Sequence, residues 1–448
     1  MGVTAQLADY VAGLQPGDIP DDVSHQAKRA LIDWLGVTLA GSAEPSVAVL
    51  VETARRIDRT DAATVLGTGV RTGLLNAALV NGFASHVLDF DDTYNPARTT
   101  VHGCAPVWPV VMALAERKKT PGAQALVAFV AGFETEVRVG LAAGPAHYEA
   151  GWHVTGTVGH FGAAAAAARL LGLDGARTAH AFGAAGTQAS GLKGVYGSMG
   201  KALHPGKAAM DGMLAALLAE QGFDGSTTIL EAKHGFLNVL SPDPEPEAVT
   251  RGLGEDWTLR DDGFKPYACG SLTHPTIEAV IHLMESQALD PADVVAIEAT
   301  VNHHVSWVTA KPTPATGLEG KFSIFHAAAV ACLDRKGSVR QFSDERVNDP
   351  VVAAMRERVT ISVDNAMAKD AASVTVRTAS GEHTHSVPHN RGTPDRPMSD
   401  EEIEAKFLDL AIDRIGETAA REVAALCWDL DQLDDVARII DRCAGSST

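Results

Sequence analysis

Between Asp21 and about Gln221, apolar residues recur at the three- and four-residue spacing of one helix face, and period-two alternation is almost absent. Asp21 and Asp22 precede the first such run, which carries Ala27, Leu31, Ile32 and Leu35 and stops near Gly41. Leu74 to Leu88 repeats the pattern, with Ala77, Leu79, Phe83 and Val87. Further helices are predicted over 106–117, 123–139, 157–171, 178–189 and 208–221. Alanine and glycine abound in them, which lets helices approach closely while leucine and valine fill the seams. The pattern predicts a large all-helical domain.

Past Lys265 the texture changes. A helix after Pro275 leads into Val294–Val301, which alternates; Val359–Val363 and Ser373–Thr378 also read as strands. The last joins Thr384–Val387 through Ala379-Ser380-Gly381-Glu382, a hairpin signal, and a helix lies over 321–333. Pro394, Pro397 and the Ser399/Glu402 capping-box spacing mark a new helix at Asp400. The fold class is therefore mainly α: a helical domain over 1–263, a smaller α+β domain over 264–394, and a helical tail over 395–448 returning to the first.

A hydrophobic fraction of 46% excludes a disordered chain. The net charge of −19 repels phosphate backbones and anionic lipid, so neither nucleic acid nor membrane is expected as a partner. An anionic substrate would need a locally cationic pocket. Cys104, Cys269, Cys332, Cys427 and Cys443 are too scattered for a zinc or iron–sulfur site and read as buried thiols. Met1–Tyr10 has no basic start with an apolar core, and the apolar stretch from Phe161 to Leu173 is too short to span a bilayer. The expected compartment is the reducing cytoplasm.

The glycines between Gly183 and Gly200 make neither the dinucleotide nor the Walker spacing, and no nucleophile elbow or zinc-binding helix is present. Five segments instead concentrate polar groups in apolar surroundings: His86–Thr93 followed by His102, Tyr148–Thr157, Gly200–Ala209, Cys269–Pro275, and Gly320–Ser323. Singly, each favours an ordinary role: a solvated acidic helix end, a core histidine, a lysine in water, a helix cap or a helix start. Together they supply His102, His153, His274, Lys201, Tyr148 and Asp89, groups that transfer protons and neutralise carboxylates. That inventory suits abstraction of a proton next to a carboxylate, with elimination, decarboxylation or reprotonation to follow.

The order of six segments resembles the MmgE/PrpD family: "NGFASHVLDFDDT", a histidine shortly after it, "GWHVTGTVGHFGAAAAAARLLGL", "GKALHPGKAAMDGMLAALLAEQGFDG", "CGSLTHP" and "EGKFSIFHAAAVA". The resemblance covers roughly residues 5 to 415. It implies a helical domain built from both chain ends, an α+β lid, a homodimer, and an active site between the domains that uses no metal and no organic cofactor. Motif by motif it implies a site of Asp89 and Thr93 from DFDDT, His102, His153, Lys201 and His274, with Tyr148 added because the family often has an aromatic there. The stretch after DFDDT departs from the family pattern. It reads "YNPARTTVHG", so the histidine is displaced, Gly103 replaces its proline, and Arg98 is available as an extra carboxylate ligand.

The resemblance implies a small di- or tricarboxylate substrate. The first expectation is water loss of the 2-methylcitrate dehydratase type; the alternatives are epimerisation like that of iminodisuccinate epimerase, and decarboxylation like that of cis-aconitate decarboxylase. A catalytically silent carboxylate-binding protein is the non-enzyme alternative. In each reaction Lys201, Arg98 and His102 neutralise carboxylates, and His153 or Lys201 moves the proton. His274 and Thr93 stabilise charge, Asp89 holds a histidine in its tautomer, and Tyr148 faces Lys201 in the epimerase version.

Overall fold

The computed structural model describes residues 1–96 and 98–445. Helices make up 60% of it, so the chain is mainly α with small sheets. It divides into two compact units. The first holds Met1–Val87, Asp91–Phe264 and the chain from Ser399 onward; the second holds Lys265–Met398 together with Leu88–Phe90.

In the first unit, helix α1 (Asp21–Gly41) has both expected acidic residues in its first turn, where negative charge complements the exposed N–H groups. It is followed by α2 (Leu74–His86), α3 (Cys104–Lys118), α4 (Gly122–Glu149), α5 (Val154–Leu171) and α6 (Gly200–Glu220). Helix α6 packs on α5, α2 and α3. Two glycines allow its approach to α2: a Cβ on Gly206 would stand 2.4 Å from the Leu79 carbonyl oxygen, and one on Gly82 would stand 2.9 Å from Gly206 Cα. The core behind them is fully buried, and Trp108 stacks on Phe129 with ring centres 4.2 Å apart. Each such aromatic stabilises the fold by about 2–3 kcal/mol.

Two helices run further than their sequence patterns suggest. The break expected after Val139 falls at Gly144–Pro145, where Gly144 takes φ 68° and the chain bends before continuing to Glu149. Helix α6 begins at Gly200 rather than 208, with Pro205 inside it. The helix over Asp400–Ile415 carries the Ser399/Glu402 capping box, and its Lys406 donates to Asp33 of α1 at 2.6 Å across a buried contact.

In the second unit, strands β1 (Val294–Val301), β2 (Val359–Val363), β3 (Ala372–Thr378) and β4 (Gly381–Val387) form one sheet in the order β2-β1-β3-β4. The β3–β4 hairpin turns where expected, whereas β1 and β2 pair in parallel. Helix His274–Ser286 packs on β3, β4 and helix Ile324–Asp334. Among the described residues, no single helix is long and apolar enough to cross a membrane.

Candidate active site

In the first unit the end of α2, the loop before α3 and the starts of α5 and α6 deliver four imidazoles and an ammonium to one place. His86 is the last residue of α2, His102 lies two residues ahead of α3, His153 is the N-cap position of α5, and Lys201 and His204 fall in the opening turns of α6. The His86 ring meets the His102 ring edge-on at 4.6 Å and stacks on the His153 ring at 5.7 Å. Tyr196 stands edge-on to His153 at 5.4 Å, and Lys201 Nζ lies 5.7 Å from the Tyr196 ring centre. His153 Nδ1 is 2.9 Å from His204 Nδ1.

One carboxylate anchors this group. His86 Nδ1 donates to Asp91 Oδ2 at 2.7 Å, and His102 Nδ1 lies 3.3 Å from the same oxygen while donating to the Asp92 carbonyl at 2.7 Å. Thr93 Oγ1 is 3.4 Å from His102 Nδ1, and the His102 N–H donates to Thr155 Oγ1. Burial alone would raise the Asp91 carboxyl, but His86 and His102 outweigh it and hold it well below the usual carboxylate range. Burial, with help from Lys201, lowers His86 to about 4 against the pull of Asp91. Burial, then His86 and Lys201, lower His153 well below its ordinary value. At neutral pH His86 and His153 are neutral, with Lys201 as the nearby cation.

One ligand atom from each of His86, Asp91 and His102 lies within 4.8 Å of the others, a spacing that metal ligands can have. The 2.7 Å contact is, however, a hydrogen-bond length, shorter than the roughly 3.3 Å between two tetrahedral ligands at about 2 Å from zinc. Asp92, Cys104 and Asp262 form a second buried group of this kind. Burial, followed by repulsion from Asp91 and Asp33, pushes Asp92 up to about 8, and burial with Asp92 raises Asp262 well above its usual range. Such a pair keeps a proton that exposed carboxyls would release.

Lys201, His153, His102 and Thr93 thus come together within this unit. Two other expected residues of this unit, Tyr148 and Arg98, do not join them, and Asp89 and His274 belong to the second unit. Asp89 belongs to the second unit, where Lys265 Nζ donates to its carbonyl at 2.8 Å and stands 3.3 Å from its carboxylate; Asp91, two positions on, is the carboxylate that orients the imidazoles. Tyr148 is 42% exposed and lies beneath Lys193, whose Nζ is 3.5 Å from the ring centre, so the tyrosine near Lys201 is Tyr196. Arg98 pairs with Glu245 at the surface at 3.1 Å. His274, in the second unit, is bonded through Nε2 to the Cys269 carbonyl at 3.1 Å and meets Tyr267 edge-on. Asp89 itself holds a left-handed backbone (φ 54°), rare for a residue with a side chain, and the buried Lys321 donates to the preceding carbonyl of Leu88.

Four imidazoles, three of them buried, with one buried carboxylate and a half-buried ammonium, mounted on the ends of packed helices, are the equipment of an enzyme that moves protons on a small anion. Residues 5–249 match the MmgE/PrpD N-terminal domain, and residues 267–430 match the MmgE/PrpD C-terminal domain. The chain belongs to the MmgE/PrpD family and is an enzyme of that kind. It is 30% identical to a cis-aconitate decarboxylase of Aspergillus terreus, over 98% of this chain and 95% of the relative. A human cis-aconitate decarboxylase is 28% identical, over 99% and 95% of the two chains. The mouse counterpart is 30% identical over 80% and 75%.

Proposed function

We propose that this protein is a carboxy-lyase that releases carbon dioxide from cis-aconitate or a closely similar tricarboxylate. The observation that carries the reading is the cluster of His86, His102, His153 and His204 with Lys201 and Asp91, in a chain collinear with cis-aconitate decarboxylases along nearly its whole length. The first expectation from sequence, water loss from 2-methylcitrate, gives way because the relatives carry the decarboxylase name.

The chemistry asks little beyond charge and one proton. The departing carboxylate of cis-aconitate sits one carbon from a double bond, so its electron pair shifts through that bond as carbon dioxide leaves. The carbanion that results is conjugated with a retained carboxylate, which serves as the electron sink and removes the need for an organic cofactor. Lys201 neutralises the retained carboxylate, and its attraction is strongest where burial excludes water. His153, protonated once the trianion is bound, delivers the proton to carbon. Asp91 fixes the rings of His86 and His102 so that neither must reorient as charge moves.

Turnover on a polycarboxylate panel tests this. The wild type should release carbon dioxide from cis-aconitate, and Lys201→Ala and His153→Ala should each cut kcat/KM by about 10²–10⁴-fold. Loss of water from 2-methylcitrate as the faster reaction, or equal rates in the variants, would overturn the reading.

A further inference from the structure

We propose that His204 is the positioning residue for His153: its Nδ1 accepts the hydrogen of His153 Nδ1–H and thereby reserves His153 Nε2 for the proton that is exchanged with substrate. The inference rests on the decarboxylase reading for the identity of that proton, and on the geometry of the pair for everything else.

The two Nδ1 atoms are 2.9 Å apart. At that separation one nitrogen must carry a hydrogen and the other a lone pair. The contact is built in. His204 lies three residues after Lys201 on α6, hence on the same helix face. Its ring occupies a slot made by two glycines: a Cβ on Gly156 would stand 2.9 Å from His204 Cβ, and one on Gly191 would stand 3.3 Å from its Nδ1. Gly191 also accepts the backbone N–H of His153 at 2.9 Å, so one residue fixes the positions of both imidazoles.

The direction of the bond follows from what His153 must do. A histidine that gains and loses its proton at Nε2 keeps the Nδ1 hydrogen in both states, so the partner at Nδ1 has to accept. With the opposite polarity, His153 Nε2–H would belong to a neutral imidazole, far too weak an acid to protonate carbon near neutral pH. His204 therefore carries its own hydrogen on Nε2 and stays neutral. Two imidazolium rings cannot share this contact, since both nitrogens would then point hydrogens at each other. The surroundings favour a single charge at most: His86, Lys201 and His102 face His153, while His160 and Lys201 face His204. Beyond, His160 lies 3.3 Å from Asp211, which also receives Lys207. Burial, then His160 and Lys201, lower His204, in keeping with a neutral acceptor.

Two variants and one spectrum test the inference. His204→Asn places an amide oxygen where Nδ1 stood and should keep kcat within about threefold of wild type. His204→Leu removes the acceptor; it should lower kcat about 10²-fold with KM little changed, and move the alkaline limb of the kcat/KM profile, where the acid loses its proton, to lower pH. Nitrogen NMR of the full-length wild type should show His153 Nδ1 bearing hydrogen in its neutral form. Equal losses in both variants without a shift of the profile, or a bare His153 Nδ1, would overturn the inference. A wild type that does not act on cis-aconitate would refute the decarboxylase reading alone, and the spectrum would still decide the direction of the bond.

Discussion

Asp91 receives two imidazoles on one side chain that is itself fully buried, and among the described residues these rings are the partners of its charge. Asp91→Asn keeps the shape and removes the charge. We expect it to cost about 2–3 kcal/mol in urea unfolding at neutral pH. Because the carboxyl is held low, that difference should shrink as pH falls below the ordinary carboxylate range and the wild-type group is protonated in both states. Asp89→Asn should move the His86 and His102 resonances less than Asp91→Asn does, since Asp91 is bonded to both rings and Asp89 to Lys265. Equal effects of the two substitutions on those resonances would contradict the assignment. The choice of Asp89 comes from the family resemblance of the DFDDT segment. Nothing in three acidic residues within four positions tells which one turns toward a histidine.

At the scale of elements, most helices were legible because their apolar spacing and caps agree, as in the Ser399/Glu402 box. The start of α6 was not. Pro205 and Gly206 look like a helix break and hide the three-residue spacing that places Lys201 and His204 on one helix face. Local sequence also held no trace of the Gly82–Gly206 contact, which depends on two segments more than a hundred residues apart. Gly206→Ala should test it: the new Cβ would meet backbone at 2.4 Å, so α6 must shift, at about 1–3 kcal/mol in thermal or urea unfolding. A stability equal to wild type would mean that α2 and α6 are less tightly seated. His86, which opens the first polar segment, gets no role from sequence, and Tyr196 carries no signal at all, since each becomes meaningful only beside His153, a neighbour in space and not in sequence.

Over the whole molecule, a net charge of −19 coexists with a local group of imidazoles and an ammonium. The acidic excess is also present inside, in the Asp92–Asp262 pair. Asp92 is raised to about 8 from 3.8, so the folded chain keeps a proton that the unfolded chain has already released. Its contribution to stability is therefore greatest below pH 4 and is lost as pH rises toward 8. His86 and His326, lowered to about 4, act in the opposite sense, but only below about pH 6.5. Between pH 6.5 and 8 the acid pair should dominate, with Tm falling in the wild type and falling less in Asp262→Asn. A flat wild-type profile would contradict the retained proton. The central claim, that the imidazole cluster completes a decarboxylation by protonating carbon, is tested most directly by NMR of cis-aconitate turnover in D2O. One carbon dioxide per product, and one deuterium on the carbon beside the retained carboxylate, is the expected result. Deuterium entering recovered substrate with no carbon dioxide released would contradict it.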